Sequence, residues 1–162
     1  VTYIASVLTR SGSSWGADDL DLSGVEDLDA LVDRLREAVG DPTLCLVEED
    51  DEYVAIVRVD GENDPRVFVS DRRVLEAEGV AGRLLADAVE AEPDEVEDTE
   101  DEESSRPEVE PAGDDALLAD LGIPAAQLRD LCSEEGMLPS DTIFAVAEAL
   151  GAGDELERVR GL

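Results

Sequence analysis

The 162-residue chain contains no histidine and no lysine; all 12 of its basic residues are arginine. General acid–base work near neutral pH most often uses histidine, so Ser–His and Cys–His nucleophile pairs and His-ligated zinc cannot be assembled here. Without lysine there is no GxxxxGK[ST] phosphate loop, and no GxGxxG occurs either. The two cysteines, Cys45 and Cys132, lie far apart without a partnered spacing, which gives no support to a disulfide framework or a zinc knuckle. No stretch approaches the roughly 20 apolar residues of a membrane span. The first apolar run, "YIASVL", is short and lacks a basic leader, so no secretory leader is expected and a cytoplasmic location is the expectation.

Acid is what the chain has in excess. Asp and Glu number 44, giving a formal net charge of -32. Nucleic acids and anionic membranes both require basic surface to neutralise phosphates, so direct nucleic-acid binding and membrane binding are excluded as expectations. A partner, where there is one, should be basic. The same charge also serves solubility, which acidic side chains promote without any partner.

The apolar pattern predicts an α+β fold. Alternation over residues 3–9, a turn at "SGSS" and a return over 15–22 predict a hairpin. "SGVEDLDALVDRLREAVGD" places Val25, Leu28, Leu31, Val32, Leu35 and Val39 at helical spacing, with Ser23 as the expected cap and Gly40 as the stop. "TLCLVEE", "YVAIVRVD" and "RVFVSD" then predict a three-stranded antiparallel meander. In these strands both alternating sets are apolar, so the sheet should be covered on both faces. A second helix from "DRRVLEAEGVAGRLLADAVEA" shares one face with the first; the other needs the C-terminal unit, a second protomer or a partner. The expected architecture is therefore a domain over residues 1–89, an antiparallel sheet of about five strands in the order ββαβββα with two helices. Residues 90–111 hold twelve acids against Arg106 alone and predict a disordered acidic linker. Residues 112–162 predict a small all-α unit built from "DDALLADLG", "IPAAQLRDLCSEEG", "LPSDTIFAVAEALG" and a last turn, marginal by itself at that size.

Candidate chemistry is sparse. "VDGENDPRVFVSD" invites a cation-loop reading, but Pro65 stands where such a loop needs glycine, and Asp60-Gly61 is a hairpin signal. The "EEDDE" run at 48–52 groups five acids consecutively in what should be a solvated turn, whereas paired-carboxylate and two-metal sites draw acids from separate elements. Cys45 and Cys132 sit among leucines and read as inert thiols. "LGIPAAQLRDL" has the cadence of a helix-turn-helix, yet residues 114–162 carry eleven acids against three arginines, which argues for a plain helical hairpin.

Five features together carry a resemblance: "YIASVLTR", the segment 15–22 followed by "VEDLDALVDRLREA", the block "VEEDDEYVAIVRVDG…DPRVFVSD", the acidic insert, and the tail "LLADLGIP…LRDLCSEEGMLPSD". In these the chain resembles the actinobacterial tRNA adenosine deaminase-associated proteins over nearly its whole length. The resemblance implies a partner and carries no catalytic residue, cofactor or metal ligand. A deaminase of that class needs an H-x-E…P-C-x-x-C arrangement, and this chain has neither His nor CxxC, so the resemblance implies a non-catalytic accessory protein whose acidic surface meets a tRNA adenosine deaminase or another basic protein. Partner contact is expected at Trp15, at Glu48, Glu49, Asp50, Asp51, Glu52 and the adjoining Tyr53, at Arg66 and Phe68, and at Glu100, Asp101, Glu102 and Glu103 of the acidic tract. Two other readings stand beside it: a structural homodimer in which the doubly apolar sheet buries itself, and a carboxylate- or metal-dependent enzyme.

Overall fold

The computed structural model describes residues 3–22, 24–37, 42–49, 53–60, 65–72, 82, 84–85, 111–133 and 138–160. Six antiparallel strands form one sheet in the order β2-β1-β3-β4-β5-β6. In the chain they are β1 (Tyr3–Ser11), β2 (Ser14–Asp19), β3 (Thr43–Glu49), β4 (Tyr53–Val59), β5 (Arg66–Val69) and β6 (Ala112–Gly113). Four α-helices accompany them among the described residues: α1 (Leu28–Arg36), α2 (Ala125–Ser133), α3 (Pro139–Leu150) and α4 (Gly153–Arg160). The fold is α+β, as the apolar pattern predicts.

Local chemistry explains most element ends. Gly12, in a left-handed conformation, and Ser13 close the β1–β2 hairpin, with Ser11 opposite Ser14. Helix α1 is capped by Asp27, whose Oδ1 accepts from Ala30 N at 2.9 Å, so the helix starts later than a Ser23 cap would place it. Ser23 and Gly40 lie outside the described residues. Ahead of the helix, Val25 N donates to Leu22 O at 3.0 Å, and both side chains enter the core. Pro139 opens α3, and the Asp141 carboxylate accepts from Leu138 N at 3.2 Å.

Strand pleating sends odd and even residues to opposite faces. Val7, Cys45, Val57 and Val67 lie in register across four strands on one face, which Leu31, Val32 and Leu35 of α1 cover together with Leu84 and Leu85. On the opposite face Leu46, Ile56 and Phe68 form a register row, flanked by Leu8, Leu44 and Val54. That face is buried under Leu117, Leu118, Ile123 and Leu128 and under Ile143, Val146 and Leu150 of α3. The C-terminal helices are therefore the second cover of the doubly apolar sheet, and the sheet requires no second protomer to bury it. Each fully buried Leu, Ile or Phe contributes about 1.5–3 kcal/mol relative to exposure, which is how helices too few to form a stable core alone become stable here.

Two expectations are corrected. Six strands replace about five, because Ala112 and Gly113 pair with Val69 and Phe68 and extend the sheet from beyond the acidic tract. "DDALLADLG" is not a helix: it contains β6's exit, turns and a single 3₁₀ turn at Ala119–Leu121, ending at Gly122. The helix expected over 71–91 and the linker over 90–111 fall outside the described residues, apart from 71–72, Gly82, Leu84, Leu85 and Pro111.

Strand β6 depends on glycine. Gly113 has φ +96°, and a Cβ there would sit 2.4 Å from the Val67 carbonyl oxygen, whose other partner is Asp114 N at 2.8 Å. Gly113→Ala is expected to lower unfolding free energy by about 2–4 kcal/mol, strain and clash together. Gly122→Ala, at φ +111° but facing open space, should cost only about 1–2 kcal/mol. Urea denaturation measures both, and equal losses would show that the close approach to β5 does not matter.

Candidate functional site

The densest polar cluster lies where the sheet meets the C-terminal segment. Arg58 of β4 and Arg66 of β5 are register partners on the face that the C-terminal helices cover. Two guanidinium groups directly opposite one another repel, so the arrangement needs acid nearby. Asp120 supplies it bidentately: Arg58 Nη1 and Nη2 donate to Oδ1 and Oδ2 at 2.6 and 2.9 Å. Arg58 Nη1 also donates to the Leu117 carbonyl, and its Nε to Asp60 Oδ1 at 3.0 Å. Arg66 Nε donates to Asp114 Oδ2 at 2.7 Å, while Asp114 Oδ1 accepts from Ala116 N at 3.0 Å and so shapes the turn that leaves β6.

Arg58 has only 6% of its side chain exposed and Asp120 has 63%. The Asp120 carboxyl is held below the usual carboxylate range chiefly by its hydrogen bond from Arg58, against a smaller opposing effect of burial. The acceptors in this network are the chain's own acids and carbonyls. It is a clamp between sheet and C-terminal segment, with no group aimed at a substrate.

Other groups point the same way. Burial pushes both thiols up to about 12, Cys45 within β3 and Cys132 in α2, so neither supplies a thiolate near neutral pH. Among the described residues no group of three or more acids, cysteines or histidines is placed to hold a metal ion. A cavity of about 320 Å³ is lined by Phe68, Pro111, Gly113, Asp115 and Arg129, the last two ion-paired at 3.1 Å.

Of the residues expected at a partner surface, those that the structure describes are mostly buried. Trp15 is half-buried on β2, with the Arg10 guanidinium 5.6 Å from its ring centre. Glu48 and Glu49 are not in a solvated turn: both belong to β3 and are buried, Glu49 Oε1 accepting from the Tyr53 hydroxyl at 2.6 Å across the β3–β4 pair. Register explains the difference, since the strand runs two residues into the acidic run. Asp50, Asp51 and Glu52 lie outside the described residues, as do Glu100, Asp101, Glu102 and Glu103. Arg66 is tied to Asp114, and Phe68 is fully buried. What sequence reasoning missed is Arg58, flanked in the sequence by valines; the signal was a lone charge on a strand whose other residues on that face are apolar.

Compared with known proteins, the chain matches, over residues 3–153, the family described as Rv3753c-like tRNA adenosine deaminase-associated protein. The chain belongs to that family. Protein Rv3753c of Mycobacterium tuberculosis is 25% identical over 154 residues, covering 94% of this chain and 84% of that protein. No solved structure matches. The deaminase-associated family match thus spans all six strands and α1 to α3, so the Arg58 clamp and both covers of the sheet lie inside the matched region. Among the described residues no helix is long and apolar enough to cross a membrane.

Two predictions test this account of the clamp and the thiols. Arg58→Met keeps an apolar stem but strands the Leu117 carbonyl, and should lower unfolding free energy by about 1–3 kcal/mol. The pair's contribution, reduced by solvent screening at Asp120, is present above the carboxyl's ordinary value and is lost as pH falls through its lowered one. Wild-type stability should therefore fall more steeply on acidification below pH 3.8 than that of the Met variant, which equilibrium unfolding at stepped pH would show. In thiol titration at pH 8, Cys45 should stay unmodified in the folded chain and react once urea unfolds it; rapid native labelling of Cys45 would contradict its burial.

Proposed function

We propose that this protein is a non-catalytic accessory subunit that binds a tRNA adenosine deaminase through acidic surface. The observation that carries the proposal is membership, over residues 3–153, of a family described as associated with that enzyme. Composition supports the role. A deaminase of that class holds zinc with His and Cys and moves protons with Glu, whereas this chain has no histidine and its two thiols are held protonated by burial.

Charge supports the kind of partner. An enzyme that grips tRNA presents basic surface, and a chain of net charge -32 is attracted to it at long range. In that setting the accessory subunit stabilises the enzyme, regulates it, or occupies the tRNA path as a mimic of the phosphate backbone. The described surface has only Ile4 and Leu138 as exposed large apolar residues, so recognition through charge and backbone fits it better than a broad apolar interface.

Titration calorimetry of the full chain against its cognate tRNA adenosine deaminase, at low and moderate salt, tests the reading. Saturable binding that weakens by about tenfold or more between 50 and 200 mM salt is expected of an acidic surface on a basic one. Because β6 starts at Ala112, the acidic tract is best neutralised in place: Glu100→Gln, Asp101→Asn, Glu102→Gln and Glu103→Gln together. Weaker binding of that variant assigns contact to the tract, and unchanged binding assigns it to the folded part. Absence of heat and of co-elution at either salt overturns the accessory role.

A further inference from the structure

Among the described residues no strand pairs with the outer edge of β2, although α4 packs against that strand, and the hydrogen-bonding pattern of the edge can be read from the register. Leu20 N donates to Ala5 O at 3.0 Å, and Ser11 faces Ser14 across the hairpin turn. In an antiparallel pair, hydrogen-bonded and non-hydrogen-bonded residues alternate. The pairs Ser11–Ser14, Thr9–Gly16 and Val7–Asp18 thus exchange hydrogen bonds inside the sheet. The backbone N–H and C=O groups of Trp15, Ala17 and Asp19 point the other way, outward from the edge. Among the described residues β2 pairs with β1 alone, and Ser14, Gly16, Asp18 and Asp19 are exposed along it.

Such a row of outward donors and acceptors is a template for another strand. Proteins that need no visitor shorten the edge, cover it or charge it against indiscriminate pairing. The opposite edge follows that rule: β6 has two residues. The β2 edge is three times as long and is marked by acid, with Asp18, Asp19 and the following Asp21 and no basic residue between positions 14 and 22.

We propose that the β2 edge is a docking site for an extended basic segment of a partner protein, which adds to the sheet as a seventh strand. This inference rests on the accessory reading above and names the surface through which it acts. Main-chain bonds to Trp15, Ala17 and Asp19 supply affinity, and alternate side chains supply selectivity. On one face the docked segment meets Asp18 beside Gly16. On the other, which α4 packs against, it meets Asp19 and the rim of the half-buried Trp15 and Ala17, with Arg10 already over the Trp15 ring. Basic residues at alternate positions satisfy the acids on either face, and an aliphatic or aromatic residue lies beside Trp15. A second copy of this chain is a poor occupant: it brings the same acids and the same net charge of -32.

Amide hydrogen exchange of the full chain, with and without the cognate deaminase, tests the proposal. The amides of Trp15, Ala17 and Asp19 exchange freely in the chain alone, and saturating deaminase should slow them by about tenfold or more, while Gly16 and Asp18 are protected in both states. Ala17→Pro removes one outward N–H and none of the β1–β2 ladder, a change that edge strands tolerate. It should weaken binding by about tenfold while leaving the far-UV spectrum and melting temperature near wild type. Binding with unchanged exchange at these three amides, or Ala17→Pro binding as tightly as wild type, overturns the edge site and leaves the accessory role standing. Protection that rises with this chain's own concentration overturns it in favour of a second copy. Absence of any binding removes the accessory role and the edge site with it.

Discussion

A guanidinium buried in the face of a sheet sets the terms for the C-terminal half of this protein. Arg58 stands in register between Leu44 and Arg66, on a face otherwise made of Leu8, Leu46, Val54, Ile56 and Phe68. A charge left alone there would be costly, so its position obliges the chain to bring acid and carbonyl oxygen to it. Asp60 arrives from the end of its own strand, and Asp120 and the Leu117 carbonyl arrive from beyond β6. Because the guanidinium is planar and the Asp120 contact bidentate, the clamp fixes orientation as well as proximity. Leu117 and Leu118 are thereby set over the sheet, with Ile123 and α2 following.

Part of the scarce positive charge is engaged within the chain. Arg34 donates to the Asp21 carbonyl at 2.8 Å, Arg66 and Arg129 pair with Asp114 and Asp115, and Arg10 lies over Trp15. These contacts leave the balance of 44 acids against 12 arginines at -32. The consequence is a body whose long-range field attracts basic proteins and repels nucleic acid and its own copies. That field is general, however, and steers encounter more than it selects a partner. Selection requires a shaped surface, and the β2 edge joins directional backbone groups to local acid.

Much of the sheet was legible from residue pattern. β3, β4 and β5 follow the β-branched runs closely, and the double apolar alternation in them correctly demands two covers. What hid from the pattern is instructive. Ala112 and Gly113 are too short and too small to show strand character; they become a strand because Gly113 can approach Val67 as no other residue can. Glu48 and Glu49 read both as the end of the strand "TLCLVEE" and as the start of an acidic turn; β3 continues through them, and Glu49 accepts from the Tyr53 hydroxyl. Asp27 is the cap because the helix begins at Leu28 and the Asp27 carboxylate accepts from Ala30 N, its third residue.

The amino-acid sequence by itself determined the class and the exclusions. A chain without histidine and lysine, with 44 acids and with strands apolar on both sides, is an acidic α+β protein that cannot assemble a histidine- or lysine-based site, whatever its topology. Its motifs also point to the deaminase-associated family, to which the match over residues 3–153 assigns it. Tertiary structure alone decided which element covers which face, where Arg58 finds its acids, and which of the described strands stands at the edge of the sheet. These depend on contacts between residues distant in the chain, 62 positions apart for Arg58 and Asp120 and farther still for β2 and α4, and local propensity holds no information about such distances.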